Sequence, residues 1–387
     1  VIKICHLADV HLGLKKYSKL TKTGFNQREF DIALAFREVI DQISVIKPNL
    51  TIIAGDLFHS VRPSNAALTQ AFREIRRLSS VSKVVIISGN HEAPKRADVG
   101  NILRLFSEIP DVYVADMAKT QFNFGEFDLS ITALPHPSLM DENLNIQAND
   151  KYKFNVLVAH GQIGDTWISE FGGIERKISD LNIHQFDYVA LGHIHVVKQV
   201  EFNTWYSGAI EHTSSNIWSE SKEPKGFLEV TLQNAVPKLN VKFRSLKSPR
   251  EVIQLSKINA SLIADIDSLV KKIKSSLDEI PGGIEGKLVR LEVFNIPKEI
   301  YRLISHKEFK EYKAQALHLQ LELKQEIINL ADLNSLNSST LKLPLLEQLV
   351  KFTKDYKKDS SINVIEKITD KFNTYFRTVE EAKDEVN

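Results

Sequence analysis

From residue 1 to about 240, short β-branched runs alternate with polar clusters built from Gly, Asp, Asn and His. The runs are Ile2 to Leu7, Leu50 to Ala54, Lys83 to Ile87, Val156 to Ala159 and Tyr188 to Leu191. Between the early ones, REFDIALAFREVIDQIS and SNAALTQAFREIRRLSS place apolar residues three and four apart, the helical period. Strands alternating with helices predict an α/β layer architecture. Four later runs, FDLSITALP, TWYSGAI, KGFLEVTL and KLNVKFRSL, have short connections and no intervening helix. They predict a second, largely antiparallel sheet packed on the first, and so a two-sheet sandwich flanked by helices.

The pattern changes near Ser248-Pro249-Arg250. EVIQLS, the helix-like NASLIADIDSLVKKIKSSLDEI, the turn Pro281-Gly282-Gly283 and the strand-like KLVRLEVFNI predict a small α/β unit over 248–330. The polar stretch 331–342 is a linker candidate. Two amphipathic helices, PLLEQLVKFTKDYKK and SINVIEKITDKFNTYFRTVEEAKDEV, are expected over 343–387. Residues 1–247 form the first unit, so the 387 residues divide as the usual domain size suggests.

Fifty basic against forty-nine acidic residues leave a net charge of +1, which excludes a whole-chain field attracting nucleic acid but not a local patch. The one cysteine, Cys5, lies inside the first apolar run, where a buried thiol is expected rather than a ligand or nucleophile. An intrachain disulfide is excluded, which fits a reducing compartment. No apolar stretch has the length of a membrane helix, and the N-terminus lacks the form of a signal peptide. A soluble cytoplasmic protein is expected.

Ligands of open α/β sheets bind outside the carboxyl ends of the strands. Those ends carry Asp9 and His11 in LADVHLG, Asp56 in AGDLFH, Asn90 and His91 in SGNHE, His160 in AHG, and His193 and His195 in LGHIH. Taken singly, each has a plain reading as a turn former or a satisfied polar group. The ordered set predicts convergence on one edge. Carboxylates, an amide oxygen and imidazoles without a thiolate suit Mn²⁺, Fe²⁺ or Zn²⁺. These donors exceed what one ion needs, and two ions about 3.5–4 Å apart can share them if a carboxylate bridges. Asp56, alone at its strand end behind a glycine, is the expected bridge. Such a centre predicts phosphate-ester hydrolysis, with His91 free to protonate the leaving oxygen or to stabilise the charged transition state.

The ordered motifs D-x-H, G-D, G-N-H, H and G-H-x-H make the chain resemble the calcineurin-like metallophosphoesterases. More narrowly, LADVHLG with its following helix, GDLFHSVRPS, SGNHEAP and YSGAIEHTS resemble the Mre11/SbcD DNA repair nucleases over residues 1 to about 230. The resemblance implies one ion held by Asp9, His11, Asp56 and His195, and a second by Asp56, Asn90, His160 and His193, most often Mn²⁺. It implies that His59 directs exonucleolytic cleavage, against a reading of His59 as a partner to Asp56 or a loop residue. Arg62 is a candidate phosphate contact, and Lys15 and Lys16 head a basic segment suited to a DNA backbone, or to a solvated face. The resemblance further implies that 248–330 caps the core and helps admit DNA. It assigns the helical pair 343–387 to docking on a Rad50/SbcC-like ATPase, and core helices to a homodimer.

The leading expectation is a two-metal DNA exonuclease and endonuclease in double-strand break repair, cytoplasmic and nucleoid-associated when on DNA. A phosphomonoesterase or cyclic-nucleotide phosphodiesterase on the same scaffold, a phage-defence nuclease with another ATPase, and an inactive scaffold are the alternatives.

Overall fold

The computed structural model describes residues 1–94, 100–164 and 174–326. In chain order the main elements are β1 (Ile2–Leu7), α1 (Gln27–Ile46), β2 (Leu50–Ala54), α2 (Asn65–Ser79), β3 (Lys83–Ile87), β4 (Val112–Ala115), β5 (Thr120–Phe124), β6 (Leu129–Leu134), α3 (His136–Leu139), β7 (Phe154–His160), β8 (Tyr188–Gly192), β9 (Lys198–Glu201), β10 (Thr204–Tyr206), β11 (Gly226–Leu232) and β12 (Leu239–Ser245). They are followed by β13 (Val252–Gln254), β14 (Ile258–Asn259), α4 (Ile266–Asp278), β15 (Leu288–Ile296), α5 (Lys298–Leu303), α6 (Lys310–Gln315) and β16 (His318–Gln325). No helix among the described residues is long and apolar enough to cross a membrane.

The first sheet runs β12-β11-β1-β2-β3-β4, parallel from β1 to β4 and antiparallel at β11 and β12. Its parallel strands are buried on both faces, which is why they read as continuous apolar runs rather than alternating ones. Ile4, Ile52 and Val85 face the second sheet. Cys5, Ile53 and Val84 face α1 and α2, where Phe36, Val39, Ile40 and Ile75 complete a second core. Asn26 caps α1 by accepting the Arg28 and Glu29 amides, and Ser64 caps α2 by accepting that of Ala67.

The second sheet has the order β5-β6-β7-β8-β10-β9 and corrects one expectation. It is not largely antiparallel: β6, β7, β8 and β10 are parallel, and β5 and β9 alone run against their neighbours. The runs GFLEVTL and LNVKFRS leave this sheet for the first, where GFLEVTL pairs with β1 and LNVKFRS with GFLEVTL. Parallel neighbours need a long crossover, but the crossover need not be a long helix. Here 135–153 contains only the four-residue α3, and the described part of 161–187 forms 3-10 turns. Their apolar residues Leu139, Ile163, Ile178 and Leu181 cover the outer face of the sheet.

From residue 252 a third sheet, β13-β15-β14 with β16 on the other side of β15, packs on α4. Leu269, Ile273 and Leu277 of the helix meet Val289, Leu291 and Val293 of β15. The helix starts at Ile266, capped by Asp265, later than its apolar pattern suggests, because Ile258–Asn259 is taken into the sheet. Strand β16 went unread in the sequence. The segment joins the preceding residues in one compact unit, Val1–Glu326, through Trp218, Val252, Leu288 and Leu317 and the bond from Arg250 Nε to Asp31. The linker 331–342 and the helical pair 343–387 lie outside the described residues.

Candidate metal centre

The carboxyl ends of strands from both sheets meet at one place, so the convergence arises across the sandwich and not along a single sheet edge. Asp9 and His11 follow β1; Asp56 follows β2; Asn90 and His91 follow β3. His160 ends β7, and His193 and His195 follow β8 in the facing sheet. The loops after β1 and β2 are laced together: the Asp9 amide donates to the Gly55 carbonyl, His11 N–H to Asp56 O and His59 N–H to Leu12 O, at 3.1, 2.9 and 3.0 Å.

Asp9, His11, Asp56 and His193 all adopt left-handed backbone, with φ of 54, 54, 53 and 107°. Four non-glycine residues in that region around one point mark stored strain, the kind that persists where side chains must be aimed. Close approach adds to it. A Cβ on Gly89 would collide with the Asp56 carboxylate, so this turn requires glycine for its packing.

Asp56 Oδ2 lies 3.4 Å from His160 Nε2, 3.7 Å from His11 Nε2 and 4.0 Å from His91 Nε2. Asn90 Oδ1 stands 3.1 Å from His160 Nε2 and 3.2 Å from His193 Nδ1. On the other side, His11 Nε2 and His195 Nε2 face each other at 3.2 Å, with Asp9 Oδ1 3.8 Å from the latter. Donor atoms of Asp9, His11 and His195, and those of Asp9, Asp56 and His160, lie within 4.8 Å of one another. The structure therefore gathers Asp9, His11, Asp56, Asn90, His160, His193 and His195, with Asp56 between the two halves.

Burial shapes the charges. It lowers His11 to about 3, His193 to about 4 and His195 well below the usual imidazole range, leaving the neutral rings that ligate metals. Burial raises Asp9 to about 7. Asp56 is opposed by burial, yet the imidazoles of His160, His11 and His91 hold its carboxyl well below the ordinary range. Burial likewise opposes protonation of His160, but the Asp56 charge and hydrogen bond raise it to about 10. The Asp56 carboxylate thus keeps a proton, and one positive charge, on the His160 ring. A divalent cation supplies that charge with the imidazole neutral, so the donor set fits such an ion.

His91 sits at the rim, its side chain 36% exposed. Its Nδ1–H donates to the His59 carbonyl at 3.0 Å, which leaves Nε2 towards the cleft. The His59 ring stacks on that of His91 with centroids 5.0 Å apart. The cleft, about 460 Å³, is lined by His11, His59, His91, His193 and His195 on one side and by Lys16, Thr213, Ser214 and Ser215 on the other. Of the other basic candidates, Lys15 is turned to Glu29 at 3.7 Å and Arg62 is exposed outside the cleft lining.

Glu92 was not read from the sequence as part of the site. Fully buried, it accepts amides from Gly89, Asp56 and Phe58 at 2.9, 3.1 and 2.7 Å, tying the β2 and β3 loops together. Burial, with the Asp56 charge, raises it to about 8. Its place directly after Asn90-His91 was the one available signal.

A profile described as calcineurin-like phosphoesterase matches residues 2–197. The chain is 30% identical over 234 residues to the DNA double-strand break repair protein Mre11 of Methanocaldococcus jannaschii, covering 57% of this chain and 60% of that protein. It is 26% identical over 270 residues to the protein of the same name from Methanococcus maripaludis, covering 65% and 70%. It is 27% identical over 281 residues to a nuclease SbcCD subunit of Staphylococcus saprophyticus, again covering 65% and 70%. The match thus spans less than two thirds of the length of the first of these relatives.

Proposed function

Because the chain belongs to the calcineurin-like phosphoesterase family, we propose that it is a two-metal DNA nuclease that cleaves phosphodiester bonds at DNA ends and internally during double-strand break repair. The observation that carries this reading is the convergence of Asp9, His11, Asp56, Asn90, His160, His193 and His195 beneath one cleft. Asp9, His11, Asp56 and His195 would hold one divalent ion, and Asp56, Asn90, His160 and His193 the other, with Mn²⁺ as the proposed metal. The absence of a thiolate and the mixture of carboxylate, amide and imidazole fit Mn²⁺, as they fit Fe²⁺ or Zn²⁺.

Bound ions would acidify a water molecule and offset the charge of the scissile phosphate. The chain's own groups do the rest. Asp56 presents its carboxylate to both halves of the site. The His160 Nδ1–H bond to the Ala54 carbonyl, 2.8 Å, fixes that ring with Nε2 inward. His91, anchored through Nδ1 to His59 O, offers Nε2 from the open side; protonated there, it gives its proton to the departing sugar oxygen as water adds to phosphorus. His59, stacked beside it, orients the strand for exonucleolytic cleavage.

DNA is favoured over a small ester by the named activities of the relatives and by Lys16 with the Thr213–Ser215 wall extending the cleft. Lys15 and Arg62 are assigned to the flanking backbone, and 248–330 to a cap over the DNA path. A Rad50/SbcC-like ATPase is the proposed partner, since one relative is named as a subunit of SbcCD. A second copy is assigned to the outer face of α1 and α2, where Phe30, Leu34 and Phe72 are exposed.

The test compares Mn²⁺-dependent degradation of end-labelled duplex and single-stranded DNA with hydrolysis of a small phosphodiester, with Asp56→Ala as control. DNA cleavage that disappears in the control is expected. Turnover of the small ester alone would move the protein to the general phosphodiesterases.

A further inference from the structure

A buried ion pair lies directly behind one of the proposed ligands. Glu220 and Lys225, with side chains 2% and 1% exposed, bond to each other just before β11. Lys225 Nζ also donates to the His195 carbonyl at 2.9 Å. The remaining oxygen of the pair, Glu220 Oε1, is buried with no hydrogen-bond partner among the described residues, 3.8 Å from His195 Nδ1. A buried ion pair is a poor source of stability, and an unsatisfied buried oxygen is a cost. Another reason for the arrangement is needed.

The two nitrogens of His195 supply it. Nε2 points to His11 Nε2 at 3.2 Å and Asp9 Oδ1 at 3.8 Å. To offer a cation the lone pair of Nε2, the neutral ring must carry its proton on Nδ1. Thr213 Oγ1 lies 3.3 Å from Nδ1. A hydroxyl can donate or accept, so Thr213 by itself selects neither tautomer. A carboxylate can only accept. Glu220 Oε1 therefore favours the proton on Nδ1, and Thr213 completes the arrangement by donating its hydroxyl hydrogen bond to the Glu211 carbonyl, 3.4 Å away.

We propose that Glu220, held by Lys225, is a positioning residue that keeps the His195 proton on Nδ1 and so turns the Nε2 lone pair towards Asp9 and His11. This rests on the assignment of His195 as a metal ligand. It names a residue well outside the G-H-x-H motif that sets the quality of the site.

The test has two readouts on the full chain. Long-range ¹H–¹⁵N correlation on histidine-labelled, metal-free protein reports the His195 tautomer, the signal being assigned by its loss in His195→Gln. Calorimetric titration with Mn²⁺ reports affinity. The wild type is expected to carry the proton on Nδ1. Glu220→Gln is expected to show a mixed tautomer and an affinity about 10–100-fold lower at one site, the range typical when the partner behind a ligating imidazole is lost. Retention of the Nδ1–H form with unchanged affinity would overturn the proposal, as would lost affinity with an unchanged tautomer, which marks packing alone. If Glu220→Gln fails to fold with Lys225 left unpaired, Glu220→Gln/Lys225→Met removes both charges and is read by the same criteria. A wild type that takes up no Mn²⁺ would defeat the metal reading, while the tautomer comparison would still decide the role of Glu220.

Discussion

The phosphoesterase part and the segment from residue 252 to 326 both pack a sheet on helices, yet they treat polar groups in opposite ways. At the strand ends of the first, four site residues take left-handed backbone, and Asp9, Asp56, Glu92 and Glu220 are buried. In the second, Asn295 is the one non-glycine residue with left-handed backbone among the described residues, and the nearly buried Glu292 is met by Lys257 and Lys324 at the surface. Its helix and strands hold together through an apolar cluster. The difference teaches where strained backbone gathers: local conformations costing about 1–3 kcal/mol each survive only where the surroundings over-determine them, and four of the ten left-handed non-glycine residues among the described residues meet at this one edge while the other six lie elsewhere.

Substitutions should separate the two regions. The largest effect is expected for Asp56→Ala, which removes the proposed bridge: cleavage should fall by more than about a thousandfold, beyond the ~10–100-fold typical of losing a group behind a ligand. Calorimetric titration should show both Mn²⁺ sites disturbed, and two tight sites in that variant would remove the bridge from the mechanism. His91→Ala should slow cleavage by about 10²–10⁴-fold with Mn²⁺ uptake kept, since the role proposed for it is on the proton and not on the ions. Comparable loss of metal would refute that role. In the other region Leu291→Ala, at a fully buried position of β15, should cost about 2–5 kcal/mol in urea unfolding while leaving Mn²⁺ affinity intact. A change in affinity would show that the two regions are coupled.

The smallest effect appears only in acid. Burial lowers His6 to about 3, against about 6.5 in the unfolded chain. The unfolded state then binds the extra proton, so the stability present above pH 6.5 is lost as pH falls towards 3. His6→Leu should gain roughly 3 kcal/mol on the wild type between pH 6.5 and 4, read from paired unfolding curves. A constant difference across that range would mean that His6 is not held neutral.

The strands β1, β2 and β3 were legible to the residue, because parallel strands buried on both faces leave unbroken apolar runs. The motif residues after them were legible for a related reason: strand ends place side chains at a sheet edge whatever follows. The second sheet was misread where helices are missing, since the pattern of a run does not say which neighbour it pairs with, and GFLEVTL pairs with β1 across more than two hundred residues. Strand β16 was missed although Leu319, Leu321 and Leu323 alternate in it. Glu92 and Glu220 were missed because a glutamate is ordinarily a solvated residue, and only packing decides otherwise.

The sequence by itself determined the layer class, the first sheet's parallel strands and the identity of the converging side chains, because periodicity and strand-end position are local properties of the chain. The tertiary structure alone decided that His160, His193 and His195 come from the facing sheet and that Glu220 and Lys225 lie behind His195. Those relations depend on which distant segments exclude water from one another, and no local pattern encodes them.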